Sequence, residues 1–123
     1  MENISPAVLL EQCLNNVWNE KDAGTRESWL NRVYHERVRL YEPDREEAIE
    51  GIGAIAATVT KVMGGFPEDF RFVVQGSPSG HHGIGVARWH GESQGKVLLT
   101  GSDAIKVENG LIVEQYIFID PAP

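Results

Sequence analysis

The chain has 123 residues, of which 41% are hydrophobic and 24% are charged, a composition typical of one compact domain rather than of a disordered segment. Its formal net charge of -7 argues against nucleic acid as a partner, because a protein that binds phosphate backbones normally carries a basic stripe. There is no basic and then apolar leader, and no apolar run approaches the ~18 residues of a membrane span. We therefore expect a cytoplasmic protein that is not inserted in a membrane.

The N-terminal segments favour helices. Ser5-Pro6 is typical of a helix start, and apolar residues recur at helical spacing after it, which predicts a first helix from about Pro6 to Glu20. Residues 22–24 break this helix. Thr25 is then placed to cap a second, short amphipathic helix.

The period of the pattern changes after the second helix. Residues 37–43, RVRLYEP, alternate apolar and polar side chains and predict a strand that Pro43 terminates. A third helix is expected from about Ile52 to Met63, because Gly64-Gly65 stop the helical pattern.

From residue 70 onward the pattern predicts strands only. Four segments alternate in this way and are separated by Gly, Ser, Pro and Asn clusters: FRFVVQGS, GIGVARWHG, KVLLTGSDAIKV and LIVEQYIFID. Helices first and a strand meander last predict an α+β fold, in which helices pack on one face of a curved antiparallel sheet. We expect a single domain over residues 1–123.

The order of these segments resembles a known superfamily. NEKDAG, YEP, EGIGAI, GGFPEDFRF, VARWHG and TGSDAIKVENGLIVEQYIFID resemble the nuclear transport factor two-like superfamily, and most of all its SnoaL-like polyketide cyclase and ketosteroid isomerase-like branch. The resemblance covers nearly the whole chain and is most specific in the C-terminal hairpin. It implies a cone-shaped fold whose three N-terminal helices and curved antiparallel sheet enclose an apolar pocket. Because that fold hosts several enzyme classes and noncatalytic modules, it implies no single function.

Asp103 is the main candidate catalytic residue. Strand alternation places Gly101, Asp103 and Ile105 on one face, so the acid is expected to be buried among small and apolar residues. Burial favours a neutral carboxyl group, which could donate a hydrogen bond or a proton to a substrate. In SnoaL-like cyclases the acid at the matching position is the proposed general acid/base. The alternative is a structural Asp that bonds backbone groups or forms a buried ion pair.

Glu42 is the candidate for a second acid/base group. The resemblance places it where ketosteroid isomerases carry their general-base acid, just before a proline, here Pro43. The alternative is a solvated acid at a strand end. The first-helix tyrosine of those isomerases is missing, because counting back from Asp22 leads to about Leu14, which we assign to the pocket wall.

Further wall residues are expected on the last three strands. If Ala87 faces the cavity, Trp89 faces it too, as a surface on which a planar ligand stacks or as an ordinary core aromatic. Ile105 shares the Asp103 face. On the last strand the resemblance implies that the face of Gln115 and Ile119 lines the cavity.

The opposite sheet face carries Tyr116 and Phe118 on the last strand, which makes it a candidate homodimer surface. His90 is expected to face solvent, because it alternates with Trp89.

A metal or cofactor is not expected. His81 and His82 are adjacent, so their side chains diverge on a strand, and no third ligand stands at suitable spacing. The sequence has neither a phosphate-binding glycine loop nor a nucleophile elbow. The single cysteine, Cys13, is expected to be a small buried hydrophobe.

The leading hypothesis is a cofactor-independent enzyme that binds a mainly apolar, carbonyl-containing small molecule and moves a proton next to the carbonyl, as a polyketide cyclase or an isomerase does. One alternative is a noncatalytic ligand-binding or dimeric interaction module of the same fold, which an Asp103 locked to an arginine would favour. Another is limonene-type epoxide hydrolysis, which the resemblance associates with an Asp-Arg-Asp arrangement around water. Strand alternation shows no inward arginine, and Arg39 and Arg88 are the candidates if their faces are misassigned.

Overall fold

The computed structural model describes residues 4–121. Its helical elements are α1 (Pro6–Cys13), a π-helical turn that continues it (Leu14–Trp18), α2 (Ala23–Val33) and α3 (Ile52–Gly64). Its strands are β1 (Tyr34–Tyr41), β2 (Ile49–Glu50), β3 (Arg71–His81), β4 (Ile84–Ser93), β5 (Lys96–Glu108) and β6 (Leu111–Ile119). The α+β class expected from the sequence is confirmed, since the helices pack on one face of a curved sheet.

The helix starts follow from local hydrogen bonds. The Ser5 hydroxyl accepts from the Val8 N–H at the start of α1, as the sequence predicts. At the start of α2 the Asp22 carboxylate accepts from the Thr25 N–H at 2.8 Å. The expected cap at Thr25 is therefore wrong, because the acid three residues earlier already satisfies that donor.

The sheet is mixed, with strand order β2-β1-β6-β5-β4-β3. The last four strands form an antiparallel meander, but β1 runs parallel to its neighbour β6. The expectation of an entirely antiparallel sheet is thus corrected. A parallel neighbour needs a long connection, and here the chain passes through α3 and four strands before it returns beside β1.

Irregular register bends the sheet around the helices. The pairing shifts between Gln75 and Ser79 on β3, between Gly91 and Glu92 on β4, and again on β5. Such bulges increase the local twist and curve the strand. The concave face receives α1 and the π-helical turn, whose apolar side chains include Leu10, fully buried in the core.

None of the helices within residues 4–121 has the length and apolar character that crossing a bilayer requires.

Close packing of two strands leads to a first prediction. A Cβ at Gly101 would lie 2.6 Å from the Trp89 ring and would also meet the Phe118 carbonyl oxygen. Since backbone cannot yield cheaply, Gly101→Ala is expected to lower the free energy of unfolding by about 2 kcal/mol or more, measured by urea denaturation.

The matched control is Gly53→Ala in α3, where an added Cβ meets no atom within 4 Å. Removing backbone freedom there should leave stability unchanged or raise it by up to about 1 kcal/mol. Equal stability of the two variants would mean that β4 and β5 do not pack as closely as described.

Candidate active site

A cavity of about 560 Å³ lies between the concave sheet face and the helices. Its apolar wall comes from both layers and consists of Leu14, Trp18, Ala57, Val62, Phe66, Phe72, Trp89, Leu99, Ile117 and Ile119. The exposed polar residues at its opening are Asp44, Arg45 and Lys61, and the half-buried Thr58 also lines it. This volume is within the usual range for small-molecule sites.

Asp103 is the acid inside this cavity. It lines the wall and is only 3% exposed. The Trp89 indole Nε1–H donates to Oδ1 at 2.9 Å, and the Gln115 amide Nε2 donates to Oδ2 at 2.6 Å. Burial raises the pKa of Asp103 from 3.8 to about 6, and these two hydrogen bonds oppose the rise because they favour the ionised form.

A second row of polar side chains lies behind Asp103. The Tyr34 hydroxyl donates to Gln115 Oε1 at 2.5 Å and accepts from the Trp18 indole N–H at 3.2 Å. Cys13 Sγ lies 3.0 Å from the same hydroxyl oxygen. Burial raises the pKa of the Cys13 thiol to about 12 and raises the pKa of Tyr34 well above its ordinary value, so both groups stay neutral.

The π-helical turn positions two parts of this arrangement. It continues α1 through Leu14 and Trp18, which are both buried and both line the cavity. A π-turn holds more residues per turn than an α-helix and often occurs at functional sites. Here it allows the Trp18 ring to contribute to the wall while its N–H reaches Tyr34.

The structure brings several of the predicted site residues together. The same cavity is lined by Asp103, Glu42, Trp89, Leu14 and Ile119. Glu42 lies just after β1 and is half-buried. Ile119 lines the cavity while remaining 49% exposed, which places it toward the opening.

Two predicted wall residues lie elsewhere. Ile105 and Gln115 face the interior as strand alternation predicts, but both are completely covered and neither lines the cavity. The expectation that they contact a ligand is corrected, because the helical layer closes over this part of the sheet. Gln115 instead contacts the carboxylate of Asp103.

Two opposing effects set the protonation of Asp103. Burial raises its pKa to about 6, in the direction expected from the sequence, while both carboxylate oxygens accept N–H donors that favour the ionised form. A carboxyl group with such a pKa can both take up and release a proton near neutral pH.

Neither Arg39 nor Arg88 points into the cavity. Arg39 pairs with Glu50, and Arg88 pairs with Asp120, in both cases through exposed side chains. Asp103 makes no ion pair with any residue in the described part of the chain. An inward Asp-Arg-Asp arrangement is thus not formed.

The histidines are remote from the cavity. His90 lies on the outer face of the sheet, as alternation predicts, yet its ring is mostly covered and bonds Glu92 at 2.6 Å. His81 and His82 are exposed at the tip of the β3–β4 hairpin. Over residues 4–121 no three His, Cys, Asp or Glu side chains are grouped to hold a metal ion.

No protein-family model matches the chain. No curated protein matches its sequence either. The chain does match solved structures. A proposed isomerase of the SnoaL-like family from Agrobacterium tumefaciens is 27% identical, with a TM-score of 0.85 over 94% of this chain and 97% of that one.

Two further structures are more distant in sequence. A proposed SnoaL-like polyketide cyclase from Jannaschia is 15% identical, with a TM-score of 0.76 over 98% of this chain and 92% of that one. A nuclear transport factor two-like protein of unknown function from Cytophaga hutchinsonii is 17% identical, with a TM-score of 0.70 over 98% and 94%. The chain has the nuclear transport factor two-like fold. The superfamily resemblance found in the sequence is thereby confirmed.

Within this nuclear transport factor two-like fold, sequence reasoning missed the polar row behind Asp103. Tyr34 lies outside the strand that the alternating pattern predicts, because that pattern begins at residue 37. For Trp18 the sequence pattern makes no prediction, and Cys13 is expected from it to be a small buried hydrophobe, although an indole N–H and a thiol both need partners when buried. Three such groups in one buried region are the signal that could have found the row.

The raised pKa of Asp103 leads to a prediction about stability. The unfolded chain titrates near 3.8 and the folded chain near 6, so the folded state binds the proton more tightly. Its added stability is present at low pH and is lost as the pH rises through 6. Relative to Asp103→Asn, the free energy of unfolding should fall by about 2 kcal/mol between about pH 4 and about pH 7.5.

Urea denaturation of both proteins at the two pH values measures this difference, and the Asn variant removes the contribution of all other groups. A difference that is independent of pH would mean that Asp103 has an ordinary pKa and is not buried as described.

Proposed function

We propose that the protein is a cofactor-independent, cytoplasmic enzyme that moves a proton next to the carbonyl of a mainly apolar small molecule. Asp103 acts as the base that takes the proton and then returns it as an acid. The product is an isomer or, where the enolate attacks a second carbonyl, a closed ring.

The observation that carries this proposal is the environment of Asp103. A buried carboxylate faces a mainly apolar cavity, has no cationic partner within residues 4–121 and holds a pKa of about 6. A base is most effective when its pKa lies near the working pH, because it is then both ionised and strongly basic. A carboxylate kept only for stability would be expected to gain a cation or many backbone donors, and in the described part of the chain Asp103 has neither.

The cavity can also orient a ligand. Trp89 lies beside Asp103 and packs edge-on against Phe72, with the ring centroids 5.2 Å apart. A flat apolar ligand can lie against such a rigid aromatic wall. Glu42 lines the same cavity. It is proposed as a second acid/base group that exchanges a proton with the carbonyl oxygen or a neighbouring carbon.

The alternatives have less support. A noncatalytic module of the same fold is favoured by a strictly apolar cavity or by an Asp103 bound to arginine, and neither is present in residues 4–121. Epoxide hydrolysis requires an arginine beside the acid, whereas Arg39 and Arg88 bond other partners outside the cavity.

The proposal is tested by deuterium exchange. The wild-type protein is expected to accelerate exchange of the hydrogens next to the carbonyl in at least one of a panel of apolar cyclic ketones in D₂O, followed by proton NMR. Asp103→Asn removes the base while nearly keeping its shape, so exchange should fall by ~100-fold or more.

The matched control is Asp120→Asn. Asp120 is bonded to Arg88 and Thr100 outside the cavity, so its replacement should leave exchange unchanged. Thermal melting checks that each variant is folded. A ketone that binds to the protein but exchanges equally fast with wild type and with Asp103→Asn would favour the noncatalytic module.

A homodimer is proposed as the assembly. The outer face of the sheet carries exposed apolar side chains, notably Phe118, Val86 and Ile84, which are 55%, 44% and 44% exposed. Tyr116 stacks on Tyr41 beside them, with the ring centroids 4.8 Å apart. Burying such a face against a second copy would remove this apolar area from water.

Sedimentation at micromolar concentration should therefore give the mass of two chains, and Phe118→Glu should give the mass of one, because a buried unpaired charge opposes association. Val8→Glu is the control, since Val8 is 45% exposed but lies on α1, away from this face. A wild-type monomer would contradict the proposed assembly and would leave the proposed chemistry unaffected.

A further inference from the structure

In the hydrogen bonds around and behind Asp103, each donor lies farther from the carboxylate than its acceptor, so the chain of bonds ends on the carboxylate oxygens. Indole N–H groups only donate and an ionised carboxylate only accepts, so Trp89 fixes Oδ1 as an acceptor. On the other side, Gln115 must present its NH₂ group to Oδ2, which leaves its Oε1 for the Tyr34 hydroxyl. This polarity matches an ionised Asp103, whose two oxygens both accept.

A protonated Asp103 favours a different arrangement between proton transfers. Trp89 still donates to Oδ1, and an added proton on Oδ2 that lies toward Gln115 opposes the NH₂ group there. Turning the Gln115 amide by half a turn brings its Oε1 to Asp103 and its NH₂ group to Tyr34. The two ends of an amide are nearly the same size, so this change needs no additional space.

The turned amide makes Tyr34 an acceptor. Its oxygen then accepts from both Gln115 and Trp18, and its own proton requires a new acceptor. Cys13 Sγ lies 3.0 Å from that oxygen and is itself only a short distance, 3.8 Å, from Gln115 Oε1. A neutral thiol is a weak acceptor. Of the side chains that contact the Tyr34 hydroxyl, Cys13 is the one that can accept its proton, because Trp18 only donates and Gln115 now donates as well.

We propose that Gln115, Tyr34 and Cys13 are positioning residues that form a reversible hydrogen-bond relay behind Asp103. The relay has two orientations, one for the ionised and one for the protonated acid, and in both the carboxyl group, the Gln115 amide and the Tyr34 hydroxyl have hydrogen-bond partners. The relay deepens the proposed function, and its benefit to the protein rests on that function. A base that changes protonation state twice in every turnover must be stable in both states.

Other charges do not intervene in the relay. From the helical layer and from β1, the titratable groups that face Asp103 are Cys13 and Tyr34 themselves. The remaining charged residues that share its cavity stand on the segment after β1 and on α3, and they are Glu42, Asp44, Arg45 and Lys61. The last three are exposed at the opening, so the change of polarity behind Asp103 is local.

The relay is tested first in the wild-type protein without any substrate. The ¹³C shift of the Asp103 carboxyl group reports its protonation, and nuclear Overhauser contacts report where the Gln115 NH₂ group points. The NH₂ group should move from the neighbourhood of Trp89 at high pH to the Tyr34 ring at low pH, with the same midpoint as Asp103. An NH₂ group that keeps its contacts while Asp103 takes a proton overturns the relay.

The second test uses a pair of variants at Cys13. Cys13→Ala removes the acceptor needed only in the protonated state, so the pKa of Asp103 should fall by about half to one unit, as expected for one neutral hydrogen bond. Cys13→Ser restores an acceptor and should return the pKa close to the wild-type value. Equal Asp103 pKa values in the two variants overturn the role of Cys13.

The same shift should appear in the pH profile of ketone exchange, with its midpoint lower in Cys13→Ala and rescued in Cys13→Ser. If Cys13→Ala does not fold, the contacts of Gln115 in the wild type decide the question. Because the NMR titrations need no ligand, the relay can be established even if exchange is never observed. Conversely, loss of exchange in Asp103→Asn would support the proposed function even if Gln115 never turns.

Discussion

A carboxylate removed from water needs a hydrogen-bond donor for each oxygen, and the interior of this protein is organised around that need. The donors come from the two strands that flank β5. Asp103 pairs directly with Ala87 on β4 and with Ile117 on β6, so Trp89 and Gln115 are its diagonal neighbours on the same face. A slip of one residue in either pairing would turn a donor away from the carboxylate.

Reactivity and stability oppose each other at this position. The apolar surroundings raise the pKa of Asp103, while its two donors limit the rise, and burial is the larger effect. Without the donors the acid would be neutral and would not act as a base at neutral pH. With many more donors or a cation it would be a weak base, as on the protein surface. The observed combination lies between these limits and costs folding energy at neutral pH.

Sequence reasoning predicted what depends on local periodicity. Alternation along β4 and β5 correctly turned Trp89 and Asp103 inward, because successive side chains on a strand must point to opposite faces. Alternation does not encode depth, so it could not show that Gln115 lies beneath the helices and not at the cavity wall. Nor could a local pattern reveal that β1 runs parallel to β6, since that pairing joins segments far apart in the chain. The two-residue strand β2 is too short to carry any period.

The parallel pairing of β1 with β6 has a consequence for the order in which the protein folds. Tyr34 and Gln115 are 81 positions apart, and closing so long a loop is entropically costly and slow compared with forming hairpins. The three hairpins of the β3–β6 meander can form early, because each joins strands that are adjacent in the chain, and Asp103 is then still hydrated on the uncovered sheet face. Only the packing of the N-terminal helices and β1 against this meander removes its carboxylate from water. A partly folded chain therefore carries an ordinary surface acid, and the raised pKa of Asp103 arises only when the two layers come together.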